Sequence, residues 1–207
     1  MTNSKSGGLL AAGMCALGFL VSFPASATPS ACNAVSENLI QNCGFENGSA
    51  GWGVLNAPIG SNQGVSDNAN TGNQAWEFGA TDPVAPNWDV IYQVFATTPG
   101  TKYHVSFSEE SDGGTPSLFF AGFETVPGFN PISSIILVDT TAGAYQRYSF
   151  TFDATQNFSL IYFGGWDVPG FQFLDDVVVR TPEPITLSLF GAGLAGAVAI
   201  RRRKKAA

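Results

Sequence analysis

Tyr103, Val105 and Phe107 alternate with Lys102, His104 and Ser106, and Tyr148, Phe150 and Phe152 alternate with Arg147, Ser149 and Thr151. A period of two belongs to a β-strand with one buried and one wet face, because successive side chains leave the backbone on opposite sides. Similar short runs occur at 74–78, 89–95, 117–123, 133–138, 158–163 and 171–179, separated by Gly, Pro and Asn. Between the two terminal apolar segments, no window keeps a 3.6-residue apolar period over a helical length. Strands without helices must bury their apolar faces against other strands. The pattern therefore predicts an all-β fold, an antiparallel sandwich of jelly-roll type.

The two ends of the chain obey other rules. Lys5 precedes an apolar stretch from Leu9 to Val21, and Ala25-Ser26-Ala27 has the small-x-small pattern of a signal peptidase site. This predicts a helical signal peptide over 1–27 and a mature start at Thr28. Cys15 does not make a lipoprotein leader, since Met14 is too large for the small residue required before a lipidated cysteine. At the other end, Pro182-Glu183-Pro184 is followed by an uncharged stretch over 185–200 and by Arg201, Arg202, Arg203, Lys204 and Lys205. As a helix, 185–200 would be about 24 Å long. That is short of a roughly 30 Å hydrocarbon core unless the bilayer thins or the basic side chains snorkel. The cations predict a cytoplasmic end, which puts everything before Pro182 on the outer side of the inner membrane.

The prolines hold this junction extended and open to a protease. Without a protease, the same tail reads as a plain anchor. The order Pro-Glu-Pro, short apolar helix, arginine cluster over 182–207 resembles the PEP-CTERM sorting signal of Gram-negative bacteria. The resemblance implies export, transient anchoring in the inner membrane, recognition by an exosortase, and a final place at the cell surface or outside the cell.

The remaining stretch, 28–181, has the length of one domain. Fifteen acidic residues stand there against Lys102, Arg147 and Arg180, an excess of twelve negative charges. Such a surface repels phosphate backbones and excludes nucleic acid as a partner, leaving cations and neutral sugars. Its cysteines are Cys32 and Cys43. An even pair in an oxidising compartment favours a disulfide, which over so short a loop contributes about 3 kcal/mol. No second cysteine pair or neighbouring histidine supports a metal site or a reactive thiol.

Asn38-Leu-Ile-Gln-Asn-Cys-Gly-Phe-Glu46 followed by Gly51-Trp52 resembles the opening of galactose-binding-like β-sandwiches, a group that includes carbohydrate-binding modules. Leu174-Asp175-Asp176-Val177 resembles the strand that closes them, and Ile91 to Phe95 followed by Pro99 to Phe107 fits the middle. The resemblance covers nearly all of 28–181. It departs at Cys43, which stands where glycine is usual. It implies that Glu46 and Asp175 help ligate a structural Ca²⁺, whose preference is for carboxylate and carbonyl oxygens. Alternation independently sets Asp175 on the face shared by Phe171, Phe173, Val177 and Val179, where a bare carboxylate is costly. The alternative is a carboxylate satisfied by backbone N–H groups at the sandwich edge. Asp176 is expected to point outward.

Little here suggests catalysis. His104, the only histidine, sits mid-strand beside Lys102 and Ser106, with no nucleophile or zinc spacing near it. Glu109, Glu110 and Asp112 precede Gly113-Gly114 and read as a solvated hairpin end rather than a glycosidase pair. No Thr-x-Thr ladder supports ice binding. Sugar rings stack on exposed aromatic side chains, and Trp88, Tyr92 and Trp166 lie in or near loops rich in Pro, Asp and Gly. Asp89 and Asp167 adjoin two of them and could hydrogen-bond sugar hydroxyls. The expected protein is therefore a non-catalytic, exported surface or matrix protein that binds or organises extracellular polysaccharide. The alternative is an adhesion module without a glycan pocket.

Overall fold

The computed structural model describes residues 29–82, 88–125 and 132–182; the expected signal helix and the 185–200 helix lie outside them. Among the described residues no helix is long and apolar enough to cross a membrane. A short 3-10 turn at Ala31–Ala34 precedes ten strands: β1 (Gly53–Leu55), β2 (Gln63–Ser66), β3 (Ala75–Phe78), β4 (Asp89–Ala96), β5 (Lys102–Ser111), β6 (Ser117–Thr125), β7 (Ile132–Val138), β8 (Gln146–Asp153), β9 (Phe158–Asp167) and β10 (Gln172–Arg180). They form two five-stranded sheets, ordered β1-β4-β9-β6-β7 and β2-β3-β10-β5-β8. Every pairing is antiparallel. Except in the β2–β3 and β6–β7 hairpins, each connection crosses from one sheet to the other. This is consistent with the expected sandwich. The expected strands are present, while β1 and β2, of three and four residues, are too short to show a period.

The odd-numbered residues of β5 and β9 and their partners fill the space between the sheets with aromatic rings. Phe107 meets Phe163 at 5.1 Å and Phe119 at 5.8 Å between ring centroids, and Phe123 stacks on Phe152 at 4.4 Å. Full burial of such a ring contributes about 2 to 3 kcal/mol. Trp52 and Trp76 both pack on Phe45. Their indole N–H groups donate to the Asn42 carbonyl and Gln63 Oε1, so neither leaves a buried donor unmet.

The N-terminal segment is fastened to the last strand at several points. Cys32 and Cys43 form the expected disulfide, with Cα atoms 6.1 Å apart. Asn38 Nδ2 donates to the Val177 carbonyl and its Oδ1 accepts from Val179 N. The positive φ angles in this region fall on Glu37, Asn42 and Phe45 and not on Cys43, so cysteine there needs no left-handed backbone.

A register shift between Asp175 and Val178 corrects the expected faces of β10. Leu174, Val177 and Val179 fill the core, whereas Asp175 pairs with Ser108 on the outer side. Both aspartates are nonetheless buried, because the segment leading into β3 covers them. Asp175 Oδ2 accepts from Asn70 N and Thr71 N, and its Oδ1 from Asp176 N. Asp176, at φ 52°, turns inward rather than outward and accepts from Cys32 N, Thr71 Oγ1 and Asn70 Nδ2. The bulge reverses the alternation locally, which is what bulges do.

Burial pushes Asp175 up to about 7, with the Asp176 carboxylate adding to it and the Thr71, Asp176 and Asn70 amides opposing it. A carboxyl whose folded pKa is raised contributes stability that is fully present below its unfolded pKa and lost as pH rises through the folded one. The advantage of wild type over Asp175→Asn should therefore be largest at about pH 4 and below, shrink as pH rises through about 7, and level off above that in paired thermal melts. An advantage that grows with pH would show instead that the fold favours the ionised form.

Candidate functional site

The outward face of the first sheet is built from even-numbered residues, because odd-numbered Ile91, Phe95, Phe119, Ala121, Ile161 and Phe163 fill the core. Register then decides what meets on that face. Tyr92 of β4 lies opposite Tyr162 of β9, and Phe120 of β6 lies opposite Ile136 of β7. Trp88, just before β4, packs on Phe120 with ring centroids 5.3 Å apart, and Phe120 lies 6.1 Å from Tyr162. Phe120, Leu160 and Tyr162 form a buried floor, with Trp88, Val90, Tyr92 and Leu118 half-buried around it. Val94 (49% exposed) and Phe158 (54%) belong to strands of the same sheet, so the apolar surface continues to solvent.

Two glycines shape this face. A Cβ on Gly53 of β1 would come within 2.3 Å of Tyr92 Cζ, so the Tyr92 ring lies directly over the neighbouring backbone. A Cβ on Gly164 would sit 2.5 Å from Phe120 Cζ. Both rings lie close to the sheet because no side chain intervenes. The result is a shallow, largely apolar aromatic surface with phenol groups, able to meet the C–H face of a flat ring ligand.

Of the residues singled out in the sequence, Trp88 and Tyr92 are brought together on this face. Trp166 is not: it is 9% exposed and packs with Ala57 and Ala80 beneath Trp88, Leu118 and Val168. Asp89 and Asp167 are buried structural groups rather than sugar ligands. Asp89 Oδ1 accepts from Ala57 N and Ser61 Oγ and its Oδ2 from Asn62 N, which pins the loop between β1 and β2. Asp167 Oδ2 accepts from Gln172 Nε2. Burial raises the Asp167 pKa, the Asp112 and Asp139 carboxylates adding to it. Both aspartates occupy odd positions, so the alternation that turns Trp88 outward turns them in. Phe120 and Tyr162 were missed, since one sequence cannot tell an outward aromatic from a core one until strand register is known.

Glu46 and Asp175 present the hydrogen-bonded alternative. Glu46 Oε1 accepts from Asn73 N, Gln74 N and Ser30 Oγ. Burial opposes ionisation, but the Asn73 and Gln74 amides outweigh it and hold the Glu46 carboxyl below its usual range. Glu46 Oε2 and Asp175 Oδ1 each accept one hydrogen bond, from Asn73 Nδ2 and Asp176 N, and each keeps a lone pair. Among the described residues no three His, Cys, Asp or Glu side chains converge as a metal set. The other acidic expectation also changes, because Glu109 is 2% exposed and not part of a solvated hairpin end.

The fold is shared with proteins that handle sugars. The described sandwich is similar to a structure of TmCBM61 in complex with β-1,4-galactotriose, at 18% identity and a TM-score of 0.53 over 71% of this chain and 100% of that one. It is also similar to a putative sugar binding protein from Bacteroides thetaiotaomicron, at 9% identity and a TM-score of 0.55 over 70% and 100%. An apo cyclase from Fischerella sp. has 17% identity and a TM-score of 0.51 over 71% and 97%. Such identities establish the fold alone. No curated protein matches the chain in sequence. The family model for the PEP-CTERM protein-sorting motif matches residues 180–204. The chain is thus a β-sandwich whose fold is shared with carbohydrate-binding modules, and it carries a PEP-CTERM protein-sorting motif, which indicates export and sorting to the cell surface.

Proposed function

We propose that this chain is a non-catalytic surface or matrix protein whose sandwich binds extracellular polysaccharide through the outer face of its first sheet. The observation that carries this reading is the packing of Trp88 on Phe120, beside Tyr162 and Tyr92, on a face that no other strand covers among the described residues. Aromatic rings fixed in the sheet lose little freedom when a ligand stacks on them, which favours binding without rearrangement. Pro182 is exposed just beyond β10, so the chain leaves the sandwich at an accessible point where the sorting motif begins. An exosortase would act there, after a signal peptidase acts at the other end. A second reading, adhesion through protein contacts, draws on Ile136 and Val138, 60% and 62% exposed.

Three outcomes test this. Trp88→Ala should abolish most retention on polysaccharide from the native matrix in affinity electrophoresis while lowering Tm less than Trp166→Ala, whose truncation in a packed site costs about 3 to 5 kcal/mol. Equal retention by Trp88→Ala and wild type would favour the adhesion reading. Gly53→Ala should reduce retention by about as much as Tyr92→Ala, since a methyl group there displaces the Tyr92 ring; an unchanged binding isotherm would remove Tyr92 from the site. Deleting 182–184 should leave an unprocessed precursor in the membrane fraction, and normal release on immunoblots would reject exosortase processing.

A further inference from the structure

Residues 28–181 include only three cationic side chains, Lys102, Arg147 and Arg180, and one histidine, His104, against fifteen acids. Register brings all four to one face. Tyr103, Val105 and Phe107 of β5 fill the core, so Lys102, His104 and Ser106 point outward from the second sheet. His104 lies opposite Thr151 of β8 on one side and Arg180 of β10 on the other, and Ser106 lies opposite Ser149. Residues paired directly across an antiparallel ladder share a face. Arg147 stands opposite Ser108, yet its Nη2 donates to Ser106 Oγ at 2.7 Å, so the side chain lies back along the sheet toward His104. With about 3.4 Å per residue and about 4.8 Å between strands, its guanidinium falls within about 8 Å of the Arg180 Cα.

In so acidic a domain every base has carboxylates to choose from. Lys102 takes one, pairing with Asp153 at 2.9 Å. Arg147 and Arg180 do not: among the described residues neither forms an ion pair. Arg147 is exposed and Arg180 half-buried, so both are open to solvent. After its bond to Ser106 the Arg147 guanidinium keeps four N–H donors. Ser149 and Thr151, both exposed, present hydroxyl groups alongside. Guanidinium groups hold planar oxyanions bidentately. We propose that this face binds an acidic glycan, with sugar carboxylates of the uronic-acid type on Arg147 and Arg180 and sugar hydroxyls on Ser149 and Thr151. The net charge of the domain repels a dense polyanion such as a duplex, with one charge per about 1.7 Å. A uronate chain carries at most one carboxylate per ring and can seat single charges where the few cations gather. The outer faces of the two sheets point in opposite directions, so this site needs nothing from the aromatic face and stands whether or not that face binds glycan.

The test is titration of the purified full-length chain with trigalacturonate, in a chelator that removes calcium bridges to the acidic surface. Binding is read by mass spectrometry as protection of single arginines from phenylglyoxal, so Arg201, Arg202 and Arg203 of the tail are followed separately. Arg147 and Arg180 should be protected together and saturably, while uncharged galactotriose protects neither. Arg147→Gln should raise the trigalacturonate concentration that protects Arg180 by about tenfold, the scale of one charge-assisted hydrogen bond. Lys102→Gln removes the same charge from an exposed ion pair and should raise it by about twofold at most. Protection confined to the tail arginines overturns the proposal. So does an equal loss from Lys102→Gln, which would mean bulk charge alone, and so does equal protection by a triglutamate peptide, which would assign the face to acidic peptides.

Discussion

A strand presents two directions only, and in this chain nothing but strands is available to make a core among the described residues beyond one short 3-10 turn. Each strand must therefore keep a single parity facing the opposite sheet, and each departure from parity has to be absorbed locally. The departure at Asp175 and Asp176 organises one edge of the molecule. It sends two carboxylates into the space between β10, the segment before β3 and the N-terminal turn, where six hydrogen bonds from Asn70, Thr71, Cys32 and Asp176 itself tie the three together. The disulfide fastens the same turn from within. An apolar pair could fill the volume but could not accept those amides, which would be left buried and unmet.

Parity also explains why the candidate site lies where it does. With the core occupied by odd-numbered residues of β4 and β9, the even-numbered Tyr92, Leu160 and Tyr162 have only the outside to occupy. One end of this outer face is roofed by Ala57, Ala80 and the loop that Asp89 holds, and Trp166 disappears beneath it. Trp88 stands at the border between roofed and open halves, packed against both clusters. It is consequently fixed on one side while remaining half-exposed on the other, the condition a stacking platform requires.

The strand set was legible because amphipathic alternation is strong in 102–107 and 147–152, and because the Asn38–Glu46 and Leu174–Val177 motifs bracket the fold. The disulfide was legible from there being only two cysteines in the domain. What parity could not reveal was where it breaks. Asp176 was turned the wrong way for want of a visible bulge, and Asp89 and Asp167 were placed beside their tryptophans although neighbours in a strand face opposite sides. Phe120 and Tyr162 are indistinguishable from core aromatics until register sets one opposite Ile136 and the other opposite Tyr92.

The uneven distribution of charge follows from the same geometry. The aromatic face takes its residues from strand positions that lack acids apart from Glu124, while Glu109, Asp112, Asp139 and Asp167 gather where strands of the two sheets end together. Repulsion among these groups is borne by the fold: burial and mutual proximity raise both Glu109 and Asp167. A protein gains no stability from holding unpaired carboxylates in this way. The Gln172 side-chain amide, which donates to Asp167 Oδ2, offsets part of that cost at one of the two sites.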